Sequence, residues 1–301
     1  MPLRVALLAA CLSILALAAD DITSVAQDPA LLTQYVETHG KIDFAPLERA
    51  LRVANPEISL PRCDSDDCHA ELVAVPGTKP EQVIVWVSER LHQTAFWLRY
   101  ESDKSGEWRA PVAHTVVGKY FDPDFRLTPV SGRPFFVAVG LGVSGTGLST
   151  KVESWFDLSL ERTEPVFTFI SEGDHSATCS LCFVETVKAT ATTARKDDSE
   201  QVRVTSTVAF ETDTGESLGR RTVTSVYVRQ KSGEYKLAPA QSGAPIPDIG
   251  TITNEQFLRF DMANLRKLAA EPQSPAAQWL KSFLETCKDT PDKSELLRLL
   301  H

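Results

Sequence analysis

The chain has 301 residues, of which 43% are hydrophobic and 24% charged, a balance that excludes disordered and collagen-like classes and leaves enough apolar mass for a buried core. Forty acidic against 31 basic residues give a formal charge of -9, so phosphate backbones and anionic lipid headgroups are repelled and nonspecific nucleic-acid binding is excluded as a role.

The chain opens with a basic start at Arg4, fifteen uncharged residues over 5–19 and the small-x-small pattern Ala16-Leu17-Ala18. This reads as a cleaved signal peptide over residues 1–19, which places the mature protein in the periplasm or outside the cell. The apolar stretch is shorter than the roughly 20 residues of a membrane-spanning helix, and no later segment is longer. Leu8-Ala9-Ala10-Cys11 has the lettering of a lipobox, but the apolar run continues past Cys11, which argues against a lipid anchor there.

Residues 20–69 read as a helical and loop segment. Asp28-Pro29 forms an N-cap signature ahead of Leu31, Leu32, Tyr35 and Val36, with Gly40 as a stop. A second short helix starts near Asp43, carries Phe44, Leu47, Ala50 and Leu51, and ends at Asn55-Pro56. Over residues 70–240 the pattern becomes short β-branched and aromatic runs separated by turn residues, notably 82–87, 94–100, 135–139 and 166–170. Runs at 183–195, 201–212 and 220–230, joined by polar turns, predict a meander with a last strand at 235–237. In the middle run Val202, Val204, Val208 and Phe210 alternate with Arg203, Thr205, Thr207 and Glu211, so one face is apolar and the other polar. Residues 241–252 form a linker. The segment 253–301 returns to helices, opened by the capping box Thr253-Asn254-Glu255-Gln256 and by Ser274-Pro275 and Thr290-Pro291. The fold class expected is α+β, predominantly antiparallel β as a sandwich or meander, with short N-terminal helices and docked C-terminal helices; a partial β-propeller is the topological alternative.

Cysteine carries the most chemistry. Past the leader stand Cys63 and Cys68 in Cys-Asp-Ser-Asp-Asp-Cys, Cys179 and Cys182 in Cys-Ser-Leu-Cys, and Cys287. In an oxidising compartment these form structural disulfides, whose connectivity spacing does not fix. An alternative gathers Cys63, Cys68, Cys179 and Cys182, with His69 or His175 as substitutes, around zinc. A third uses Cys179 and Cys182 for thiol redox chemistry, but the β-branched run that follows lacks the helix N-terminus that would activate the first thiol. Asp64, Asp66 and Asp67 do not fit an EF-hand loop.

Gly140-Leu141-Gly142-Val143-Ser144-Gly145 spells a dinucleotide fingerprint, yet a strand rather than a helix follows, so residues 140–147 read as a glycine-rich hairpin loop. Ser144 with Asp174 and His175 gives the only hint of a hydrolase. Trp86, Trp97, Trp108 and the pair Trp155-Phe156 are candidate sugar platforms if one aromatic of Phe96-Trp97 and of Trp155-Phe156 faces outward. The function expected is an exported, non-enzymatic binding or structural protein with a macromolecular or glycan ligand. The alternatives are the zinc-stabilised module, the thiol redox protein and the hydrolase.

Overall fold

The computed structural model describes residues 22–38, 44–52, 58, 60, 68–109, 111–119, 121–145, 147–162, 164–176, 183–196, 199–243, 248–260 and 262–301. The leader and Cys11, the cysteines 63, 179 and 182, the acidic residues 64, 66 and 67, and His39 lie outside them. The class is α+β: two antiparallel sheets, of four and eight strands, with a few short helices. Chain contacts divide it into two compact units, residues 1–127 and 128–301, so the β region read from sequence as one stretch is distributed over two sheets.

In the first unit, α1 (Ile22–Val25), α2 (Pro29–Thr38) and α3 (Ala45–Leu51) precede β1 (Cys68–Ala74), β2 (Gln82–Glu89), β3 (Thr94–Glu101) and β4 (Val112–Val117), which pair in sequence order. The Asp28 carboxylate accepts from the backbone N–H groups of Ala30 and Leu31 and so starts α2 as its sequence position predicts. Leu32, Val36 and Leu47 are buried with Val83, Val85 and Val87 of β2 and Phe96, Leu98 and Tyr100 of β3. The Tyr100 hydroxyl donates to the Ala26 carbonyl at 2.7 Å, which satisfies the one polar atom this core encloses on that side chain. β2 and β3 are buried on both faces, which is why their runs read as nearly continuous apolar sequence. Trp86 and Trp97 are cross-strand partners, and Trp97 stacks on His114 with ring centroids 4.3 Å apart.

The second unit is built on an up-and-down meander of eight strands: β5 (Asp124–Val130), β6 (Arg133–Gly145), β7 (Leu148–Asp157), β8 (Phe167–Ser176), β9 (Val184–Lys196), β10 (Ser199–Glu211), β11 (Ser217–Arg229) and β12 (Tyr235–Leu237). It curls without closing into a barrel. The curl is far enough for the Tyr235 N–H of β12 to donate to the Val166 carbonyl just before β8, and for Phe167 to pack on Tyr227 and Tyr235. Two cores fill the concave face. One, at the end of the strands nearest Val130 and Trp155, is made by the sheet rolling on itself. The other is sealed by α4 (Asn254–Phe260), α5 (Met262–Ala269), α6 (Pro275–Thr286) and α7 (Pro291–Leu299), whose Phe257, Leu265, Leu280, Phe283 and Leu296 meet Phe183, Val208 and Phe210.

The helix starts follow their sequence signatures. Thr253 and Gln256 exchange hydrogen bonds as a capping box, Ser274 caps α6 through the Ala277 N–H, and Thr290 caps α7 through the Lys293 N–H. Thr290→Ala is expected to lower unfolding free energy by about 1 kcal/mol, measured by urea denaturation; no change would mean that the last helix is held by packing alone.

Two readings of the sequence are corrected. Residues 140–145 are strand rather than hairpin loop, because β6 runs to Gly145 and β7 begins at Leu148. Gly142 has a packing cause: a Cβ there would stand 2.3 Å from Val152 and 2.7 Å from Thr150, beside the bulge between Leu141 and Ser144. Both members of Phe96-Trp97 and of Trp155-Phe156 are buried, as is Trp86, because both faces of their strands are covered; none of them is an exposed sugar platform.

Candidate functional site

The end of the rolled sheet opposite the helices carries a polar cleft of about 360 Å³. Turn chemistry shapes its mouth. Ser131 (φ 50°) and Gly132 (φ 80°) make a two-residue left-handed hairpin turn that delivers Arg133 to the first position of β6. Arg195 and Glu200 are paired across the β9–β10 hairpin, and Arg229 ends β11 just before Gln230 and Lys231.

Behind the wall, Asp157 at the end of β7 has a side chain with no exposure. Its Oδ2 accepts from Arg229 Nη2 at 2.5 Å and lies 3.3 Å from Arg133 Nε, while Oδ1 accepts from the Ser159 N–H at 3.0 Å and its hydroxyl at 2.5 Å. Arg133 also pairs with Glu200, which accepts the Tyr235 hydroxyl. Burial, and then Glu200, push Tyr235 well above the usual phenol range, so it stays a donor to that carboxylate. The pairs join strands that are not neighbours: β6 to β10 and β7 to β11. Arg133, Arg195, Arg229 and Lys231 thus face one lining carboxylate, Glu200, with Asp157 as a second beneath it.

At the helical end, Glu185 of β9 is fully buried. Its Oε2 accepts from the Gly250 N–H at 2.9 Å, and Oε1 has no hydrogen-bond partner. Burial, opposed in part by that bond, raises its pKa from 4.5 to about 7. His175 is its cross-strand partner on β8, and the buried His175 Nδ1 also lacks a hydrogen bond. This carboxylic acid is neutral at mildly acid pH inside an aromatic core.

The residues singled out by sequence fare differently. Ser144 and Asp174 are both register partners of Ser149, on strands that flank it, so they stand about 10 Å apart. Asp174 and His175 are consecutive in a strand and face opposite sides of the sheet, and Asp174 accepts instead from the Ser176 hydroxyl at 3.0 Å. The hydrolase constellation is therefore not assembled. Cys68 is disulfide-bonded, and Cys287 is free and buried. A disulfide sulfur offers no thiolate, so Cys68 in this form is no zinc ligand. His69 lies with its Nδ1 3.9 Å from Glu37 Oε1, and among the described residues no three His, Cys, Asp or Glu side chains gather as a metal-holding group. Sequence reasoning missed the cleft and Glu185. The second was legible, since alternation puts Glu185 on the face of Phe183 and Val187. The first was not, because the curl of the sheet brings Arg133 and Arg229 to the Arg195–Glu200 hairpin.

No protein-family model matches the chain, and no curated protein matches its sequence.

Proposed function

We propose that this is an exported binding protein of the cell envelope or extracellular space, which holds its ligand in the cleft at the open end of the eight-stranded sheet. The cleft carries the reading. One end of the sheet is sealed by aromatic and aliphatic side chains from four helices, whereas the other presents arginines fixed in place by a fully buried aspartate. Apolar residues of the same volume would stabilise that wall as well as, or better than, an ion-pair network, so the network's use is to aim donors at a ligand. Export is supported by the N-terminal leader pattern and by the Cys68 disulfide, which an oxidising compartment permits. The remaining cysteines 63, 179 and 182 then serve as structural bridges.

The test has two parts. Cell fractionation with N-terminal sequencing should find a mature chain beginning near Ala19 or Asp20 outside the cytoplasm. Ligand-observed NMR against a mixed panel of neutral, cationic and anionic small molecules should yield at least one binder that is lost in Arg195→Ala/Lys231→Ala. A cytoplasmic, unprocessed chain would sink the export reading, and a panel with no cleft-dependent binder would sink the binding one.

A further inference from the structure

We infer that residues 248–252 form a latch on the helical cap of the larger sheet, closed while Glu185 carries a proton and released when that proton leaves. The latch lies at the helical end of the sheet and does not depend on what the cleft binds.

The way the segment is attached carries the inference. Residues 248–252 lead into α4, the first helix of the cap. They close a turn of their own, in which the Asp248 carbonyl accepts from the Thr251 N–H at 3.0 Å and from its hydroxyl at 2.6 Å. Among the described residues, one hydrogen bond ties the segment to the sheet, from the Gly250 N–H to Glu185 Oε2. The apolar tie is Ile249, buried over Gly173 of β8, where a Cβ on the glycine would stand 2.7 Å from Ile249 Cδ1. Gly250 itself is exposed, yet its N–H reaches a carboxyl with no exposure at all. A single residue of backbone therefore stands between Glu185 and water.

That cover suits an acid and not an ion. Glu185 Oε2 has one donor, and Oε1 is buried without any. A charge on this carboxyl calls for more donors than the site holds, and the shortest route to them is for the segment to lift and admit water. Ile249, Ile252 and Phe257 share one apolar cluster, so lifting the segment loosens the start of the cap. The elements around Glu185 bring few titratable groups. β8 places His175 opposite it, with a buried and unbonded Nδ1, and β10 places Phe210 opposite. The segment carries Asp248, which is exposed, and the helices carry Cys287 in the same cluster with Glu255 acting on it from the surface. Burial, not a neighbouring charge, holds the Glu185 proton on to about pH 7. If opening returns the group to 4.5, the opening equilibrium rises about 25-fold between pH 5.5 and 8.

The test is amide hydrogen exchange on the mature chain at pH 5.5 and 8, corrected for intrinsic rates and repeated in low urea. The amides of α5 and α6 should lose at least tenfold protection over this interval, and should depend on urea more weakly than those of β10. Glu185→Gln should remove the pH effect, because it keeps the acceptor for Gly250 and cannot ionise. Ile249→Ala should lower cap protection at least tenfold at both pH values while leaving the pH effect in place. His175→Gln should also keep it. Loss of the effect in His175→Gln would give the proton to the histidine and overturn the latch, as would a Glu185→Gln variant that still responds to pH. Equal protection and equal urea dependence in cap and β10 would show that the cap opens only with the whole sheet, and would overturn it too.

Discussion

Asp157→Ala is expected to lower unfolding free energy by about 3–4 kcal/mol, read from urea or guanidinium denaturation at pH 7. The aspartate side chain is wholly enclosed, and its two oxygens serve Arg229, Arg133 and both donors of Ser159. Truncation leaves Arg229, whose side chain is 15% exposed, without its 2.5 Å partner in a place that water reaches poorly. Arg133 keeps Glu200, so the loss falls at the lower end of the range for a broken buried ion pair. A loss below about 1 kcal/mol would show that the network is well solvated and gives the wall no rigidity.

A companion variant separates stability from purpose. Asp157→Leu/Arg229→Met removes both charges together and should recover most of the loss, since a buried pair contributes little net stability over apolar residues of similar volume. If the network exists to aim donors at a ligand, this double variant folds but no longer binds in the cleft. Retained binding would make the network structural and move the ligand elsewhere.

The second large effect is a pH dependence. Glu185 titrates at about 7 in the folded protein, against 4.5 for an ordinary glutamate, because burial penalises its charged form. Between those two values the folded chain holds a proton that the unfolded chain has released, so stability falls as pH rises. The contribution is fully present below about pH 4.5, shrinks through the interval and is gone above about pH 7. The separation of the two values corresponds to about 3 kcal/mol. Glu185→Gln keeps the acceptor for the Gly250 N–H and carries no charge. The variant should therefore match the parent near pH 4.5 and exceed it by about 2–3 kcal/mol at pH 8, where the parent must bury a carboxylate among Phe183, Val187 and Phe210. Subtracting the two stability curves cancels the titrating groups remote from residue 185. A difference that stays flat from pH 4.5 to 8 would show that Glu185 is hydrated in the folded state.

What was legible in the sequence is what neighbouring residues decide among themselves. The caps at Asp28, Thr253, Ser274 and Thr290 act on N–H groups two or three positions away, so their spacing alone announces the helix starts. The meander from β9 to β12 was readable because its strands alternate with a period of two and its turns are polar and short. The buried Glu185 could have been found by the same alternation. The strand through residues 140–145 was misread because glycine is a turn signal locally, whereas at Gly142 the lack of a Cβ answers to Val152 and Thr150 on the next strand.

Long-range geometry decided the rest. Whether Asp157 meets Arg229, or Arg133 meets Glu200, depends on how far the sheet curls, and the curl is set by summed strand twist and by aromatic packing among Phe167, Tyr227 and Tyr235. No local pattern encodes a contact between residues 72 positions apart, so the sequence by itself determined an α+β chain of antiparallel strands with docked helices, and the tertiary structure decided that one end of its larger sheet closes on a hydrophobic plug while the other opens as a basic cleft.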